Sequence, residues 1–176
     1  MTILILWFGH DGRTRGIARR LGANPAVAVE QVRPVRDPGI WGHLRHRLFG
    51  CDIRLRPLQH DPTAFACVVL CFAVPGGRMP LEVGSFLSRH RADLPQLGLL
   101  LLPDHFVSNT SPAIERFEQL AGQRPIALQE LPVPELNPDG SGIAARPWLS
   151  QCRIDSFLRK LGLAVPDHTS PAKETN

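Results

Sequence analysis

Three loops carry the residues of this chain whose types and spacing could do chemistry. The first, Gly9-His10-Asp11-Gly12-Arg13-Thr14, follows the apolar run 2–8 and precedes a helical pattern carrying Ile17, Ala18 and Leu21. A strand that feeds a glycine-containing loop opening a helix turns free backbone N–H groups toward an anion. The stretch therefore reads either as a phosphate cradle or as a plain structural strand-loop-helix. Gly9 and Gly12 fit neither the G-x-G-x-x-G nor the Walker spacing, and the loop has no lysine. The second loop, Val74-Pro75-Gly76-Gly77-Arg78, lets backbone approach a planar ligand closely, or simply makes a tight turn. The third opens on Pro103-Asp104-His105-Phe106 and runs to Thr110.

These loops need a scaffold that brings them together. The run to Phe8 is apolar on consecutive residues, as a parallel strand covered on both faces must be, and its helix spans about 13–21 with Gly22 as a natural stop. A second strand, 27–32, alternates more and belongs nearer a sheet edge. Pro34, Asp37, Pro38 and Gly39 break the pattern before a short amphipathic segment, 40–49, with Trp41, Leu44 and Leu48. His43 and His46 lie three apart there, but no acidic or cysteine partner completes a metal site, and none is expected. The segment 52–62 is a polar connection anchored by Leu55 and Leu58.

Further strands are expected at 66–72, 97–102 and 125–131. Helices are expected with Val83, Phe86, Leu87 and His90 on one face, with Ile114, Phe117, Leu120 and Ala121 inward before Gly122, and with Ile154, Phe157, Leu158 and Leu161 inward at the end. A Pro- and Gly-rich loop, 132–147, precedes the last helix. Residues 1–165 form one domain and 166–176 a mobile tail. Alternating strands and helices, five of each, imply a parallel sheet with helices on both faces and right-handed crossovers. In such a sheet a ligand sits beyond the strand carboxyl ends where the order reverses, and the three loops would meet there.

Composition narrows the function classes. Hydrophobic residues make up 43% and charged residues 20% of the 176, which is ordinary for a globular domain. The longest apolar run, 97–102, is far short of a membrane span. No basic region or small-residue cleavage site precedes the first strand, so no signal peptide is expected and a cytoplasmic location is the default. Cys51, Cys67, Cys71 and Cys152 form no CxxC pair; Cys67 and Cys71 share a strand face and should be buried, reduced thiols.

The net charge of +4 is concentrated: between Arg13 and Arg56 stand ten arginines against Glu30, Asp37 and Asp52. Such a region is a solvated surface, or attracts phosphate or an anionic membrane surface from the periphery. With aromatics at 6% and no nucleic-acid-binding motif, no nucleic-acid partner is expected.

With these elements in place, the chain resembles the flavodoxin family over nearly all of its first 162 residues. The resemblance is carried by Asp11-Gly-Arg-Thr-Arg-Gly-Ile-Ala18, Val32-Arg-Pro-Val-Arg-Asp37, the Gly76-Gly77-Arg78 loop leading to Ser85-Phe-Leu87, and Ala113-Ile-Glu-Arg-Phe-Glu118. It implies a three-layer α/β sandwich around a five-stranded parallel sheet in the order 2-1-3-4-5. It also implies FMN held by Gly9, His10, Asp11, Gly12, Arg13 and Thr14 at the phosphate, and by Val74–Arg78 and Pro103–Phe106 around the ring. Gly9 and Asp11 stand where the family carries hydroxyl residues, and the Asp-Gly-x-Thr loop is similar to that of menaquinone-dependent protoporphyrinogen oxidase. The ring loop lacks the usual Trp or Tyr, and the chain has no tyrosine, which leaves Phe106 and Trp41 to stack.

The resemblance implies electron transfer or a flavin-dependent oxidoreductase acting with a redox partner or small-molecule substrate. In such a protein the cofactor carries the chemistry, and no side chain needs a catalytic acid–base role. His10 would meet phosphate or solvent, and His105 the ring or substrate. The alternative is a domain of the same fold that has lost FMN and acts as a binding or regulatory module.

Overall fold

The computed structural model describes residues 2–9, 12–36, 53–103, 109–131 and 147–163, the side chains of 147–151 excepted. The expectations for the 40–49 segment, Cys51, the 132–147 loop before its last residue, and the tail 166–176 lie outside the described residues.

Five parallel strands form one sheet: β1 (Ile3–Phe8), β2 (Val27–Val32), β3 (Cys67–Val74), β4 (Gln96–Pro103) and β5 (Ala127–Glu130), in the order β2-β1-β3-β4-β5. Four α-helices accompany them among the described residues: α1 (Gly12–Leu21), α2 (Leu81–His90), α3 (Ser111–Ala121) and α4 (Pro147–Lys160). One-turn 3₁₀ helices lie at Pro62–Ala64 and Pro75–Gly77.

Period-two alternation within unbroken apolar runs sends successive residues to opposite layers. Ile3, Ile5, Cys67, Val69, Cys71, Leu100 and Leu102 meet Ile17 and Leu21 of α1 and Ile154, Phe157, Leu158 and Leu161 at the end of α4. Leu4, Leu6, Phe8, Val68, Leu70, Phe72, Leu99 and Leu101 meet Val83, Phe86 and Leu87 of α2 and Ala113, Phe117 and Ala121 of α3. Cys67 and Cys71 share the first layer, as their spacing requires, and Leu55 and Leu58 anchor the connecting segment onto the second. The expected three-layer order is therefore the observed one.

The boundaries differ in instructive ways. β3 continues past Phe72 through Ala73 and Val74 because β4 continues beside it, pairing Val74 with Pro103. β5 proper spans only Ala127–Glu130, yet Ile126 N donates to Leu97 O and Leu131 N to Leu101 O, so pairing extends one residue at each end. Gly22 follows α1 without a left-handed φ. It is small because Val29 stands close: a Cβ there would meet Val29 Cγ2 at 2.7 Å. Gly122 ends α3 in the left-handed form, φ 71°.

Burial pushes the Cys67 thiol up to about 11, against a lowering backbone hydrogen bond at Gly98. The folded state thus holds this thiol protonated where the unfolded chain ionises near 9.0. Its stabilising effect is full below pH 9 and disappears as pH rises toward 11. Urea titrations should show wild type losing more stability between pH 9 and 11 than Cys67→Ala. Equal losses would contradict a sealed thiol.

Candidate functional site

The switch point lies between β1 and β3, whose following segments leave the sheet toward opposite layers: α1 packs on one face and α2 on the other. The strand ends there form a step. Trp7 pairs with Cys71, and β1 ends one residue later at Phe8, whereas β3 and β4 run on together to Val74 and Pro103. The overhang of two residues is roughly 7 Å, at about 3.3 Å per residue. Loop one therefore leaves the sheet at the foot of a wall topped by Val74–Arg78.

Each side of this crevice is glycine backbone facing space. Gly9 has φ 103° and Gly76 φ 59°, and a Cβ added at either would find nothing within 4 Å. Gly77, buried, also has positive φ, 74°. Pro75–Gly77 forms a tight turn in which Arg78 N donates to Pro75 O at 3.2 Å. The loop is a tight turn, and its Gly76 edge is open.

Loop one is braced from the neighbouring strand. Gln31 Nε2 donates to Gly9 O at 2.9 Å, and Arg33 Nε donates to Gln31 Oε1 at 2.5 Å. Helix α1 begins at Gly12, one residue earlier than its apolar pattern indicates, so the N–H groups of Gly12, Arg13 and Thr14 form its first turn, where no intrahelical acceptor exists. Gly12 is exposed and Arg13 half-buried, while the Thr14 side chain is wholly buried. Thr14 thus sits in the first turn of α1 with its side chain enclosed.

The rim near β4 is held by a different pair. Thr110, in the N-cap position of α3, gives its hydroxyl to the Glu130 carboxylate, and Asn109 Oδ1 accepts from Ser111 N at 3.0 Å. A carboxylate fixed beside a helix N-terminus is favourable to the helix dipole. Pro103 is buried at the end of β4. His10, Asp11, Asp104, His105, Phe106 and Trp41 lie outside the described residues, as do His43 and His46. Gly9, Gly12–Thr14, Val74–Arg78 and Pro103 are brought to one edge of the sheet.

Gln31 and the Thr110–Glu130 pair had no signal in the linear pattern: both act across nineteen or more intervening residues. Among the described residues no group of three or more His, Cys, Asp or Glu is placed to hold a metal ion. No described helix is long and apolar enough to cross a membrane.

No protein-family description and no curated protein sequence matches the chain. Solved structures do. A flavoprotein from Lactobacillus acidophilus NCFM, in complex with FMN, superposes with a TM-score of 0.59 at 15% identity, covering 73% of this chain and 92% of that one. A candidate flavoprotein from Bacteroides eggerthii gives 0.65 at 11% identity over 93% and 99% of the two chains. The flavodoxin of Streptococcus pneumonia TIGR4 gives 0.52 at 16%, over 92% and 98%. The fold is flavodoxin-like.

The left-handed Gly76 sets a stability test. Ala at Gly76 must adopt a φ that costs an L-residue about 1–2 kcal/mol. Gly76→Ala should lower the urea-derived unfolding free energy by about that amount, and an unchanged value would mean the turn relaxes without needing glycine.

Proposed function

We propose that the protein binds FMN across this crevice and works as an electron-transfer protein or flavin-dependent oxidoreductase. The observation that carries the reading is the pairing of open glycine backbone at Gly9 and Gly76 on the two sides of the switch point, directly beside the start of α1. Backbone without side chains on both walls is what a flat ring with a phosphate tail requires, since each Cβ would project into the volume it fills. The flavodoxin-like neighbours, one of them holding FMN, support the same reading.

In this assignment the amides of Gly12, Arg13 and Thr14 receive the phosphate, with Arg13 adding charge and His10 and Asp11 completing the loop. Gln31 keeps Gly9, the first residue of the loop, in place. Val74–Arg78 lies along the ring, and Pro103, Asp104, His105 and Phe106 close its other side. When bound, FMN supplies the one- or two-electron chemistry; the chain binds, orients and excludes water. The arginine-rich region suits an anionic redox partner, substrate or membrane surface met from outside. A cytoplasmic location is part of the same proposal.

The test compares FMN with riboflavin, which has the same ring and no phosphate. Charge-assisted hydrogen bonds contribute about 1.5–3 kcal/mol each, so quenching of flavin fluorescence should show FMN bound on the order of 100-fold more tightly. Equal affinities would remove the phosphate cradle. Binding of neither flavin would favour the FMN-free module of the same fold.

A further inference from the structure

On the α2 face of the sheet lies a cavity of about 490 Å³ between α2 and the segment that returns to β3. Its apolar lining is Val32, Leu55, Leu58, Pro62 and Phe86. The charged side chains in its wall are Arg56 and Arg89 with Asp61, and the imidazoles of His60 and His90 stand beside them. The volume falls in the range of small-molecule sites, roughly 300–1,000 Å³.

The wall opposite α2 is built, and it is fixed at two points. At one end Ile53 N donates to Ser85 Oγ at 2.8 Å, and Arg89 Nη2 donates to Ile53 O at 2.7 Å, tying the segment to α2. At the other the Glu30 carboxylate, on β2, accepts Gln59 N at 2.6 Å and His60 N at 3.0 Å, and lies 2.9 Å from His60 Nδ1. The Glu30 side chain is only 9% exposed, and it holds a turn rather than facing solvent. Between these anchors Arg56 N donates to Arg33 O and Val35 N to Arg54 O, which aligns the segment as a short ribbon. On the α2 side the His90 ring stacks on Phe86 at 4.8 Å.

The acids of the wall, Asp61 and Glu30, are both engaged. Asp61 is already occupied: its carboxylate accepts the Thr63 N–H at 2.9 Å and hydroxyl at 2.8 Å, and its pKa is lowered by those bonds. Neither arginine of the wall has a carboxylate within salt-bridge distance among the described residues. The pocket thus combines an apolar floor, a stacked ring and, in its lining, two arginines with no ion-pair partner among the described residues.

We propose that this pocket is a second binding site, separate from the flavin crevice, and that it takes a flat apolar monocarboxylate. The ring or chain lies on Leu55, Leu58 and Phe86, and the carboxylate meets Arg56 and Arg89. A guanidinium fork matches a carboxylate in geometry, and both carboxylates of the wall are already taken up by Gln59, His60 and Thr63, which leaves the remaining arginine N–H groups for a carboxylate brought by a ligand. The proposal does not depend on FMN being the ligand at the carboxyl edge.

The probe is 2-naphthoate, followed by backbone amide NMR, with 2-naphthalenemethanol as the neutral counterpart and 2-naphthyl phosphate as the dianion. Naphthoate should shift the resonances of Leu55, Leu58, Gln59 and Phe86. It should bind at least tenfold more tightly than the alcohol and more tightly than the phosphate. Arg56→Gln should weaken it at least fivefold, whereas Arg124→Gln, a remote exposed arginine, should leave it unchanged. Leu58→Trp should abolish it while FMN affinity stays the same in every variant.

Equal binding of naphthoate and alcohol would overturn the anion assignment, and tighter binding of the phosphate would overturn the monocarboxylate. Naphthoate shifts at Gly9, Gly12 and Gly76 in place of Leu55 and Leu58 would place the probe in the crevice and overturn the second site. Arg56 is exposed, so its variant keeps the test sharp if Leu58→Trp fails to fold.

Discussion

A parallel sheet whose central strands are sealed on both faces can offer backbone polar groups to a ligand only at its ends. In this protein β1, β3 and β4 are buried almost residue by residue, with layers of aliphatic and aromatic side chains on either side. Every other feature of the carboxyl edge follows from that constraint. The chain leaves β1 toward one layer and β3 toward the other, a gap opens between them, and the helix start at Gly12 falls within it. The extra reach of β3 and β4 gives the gap a wall, and glycine at Gly9 and Gly76 keeps it clear of side chains.

The same constraint shapes the other face. A sheet edge must be covered, and along β2 the covering chain is a segment held by specific polar anchors: Ile53 on Ser85 and Arg89, and Gln59 with His60 on Glu30. A carboxylate so little exposed must be satisfied, and three nitrogen partners do so. Point anchors separated by several residues leave space between them, where continuous helix-on-sheet packing would not. The cavity beside α2 is a consequence of covering an edge this way.

The fold was legible because its signal is local. Unbroken apolar runs at Ile3–Phe8, Cys67–Val74 and Leu97–Leu102, spaced by helical patterns, allow few arrangements, and the strand order followed from the resemblance those patterns supported. The chemistry-bearing loops were legible as places, for the same reason. The roles of single side chains were not. Thr14 reads as part of a phosphate loop, and tertiary packing alone decides that its side chain is buried. Gln31, Glu30 and Glu130 look like ordinary polar residues on strands, and their partners Gly9, His60 and Thr110 lie twenty or more residues away. Gly22 shows the same gap in reverse: the residue type marked a helix end, and the reason for it is Val29.

The claim on which this account depends is that the switch-point crevice is where FMN binds. Amide NMR of the full chain titrated with FMN tests it most directly. The account predicts shifts concentrated at Gly9, Gly12, Arg13, Thr14, Gly76, Gly77 and Arg78, with the amides along α2 and the 53–62 segment unmoved. Shifts confined to that segment and α2, with the glycine loops silent, would contradict it.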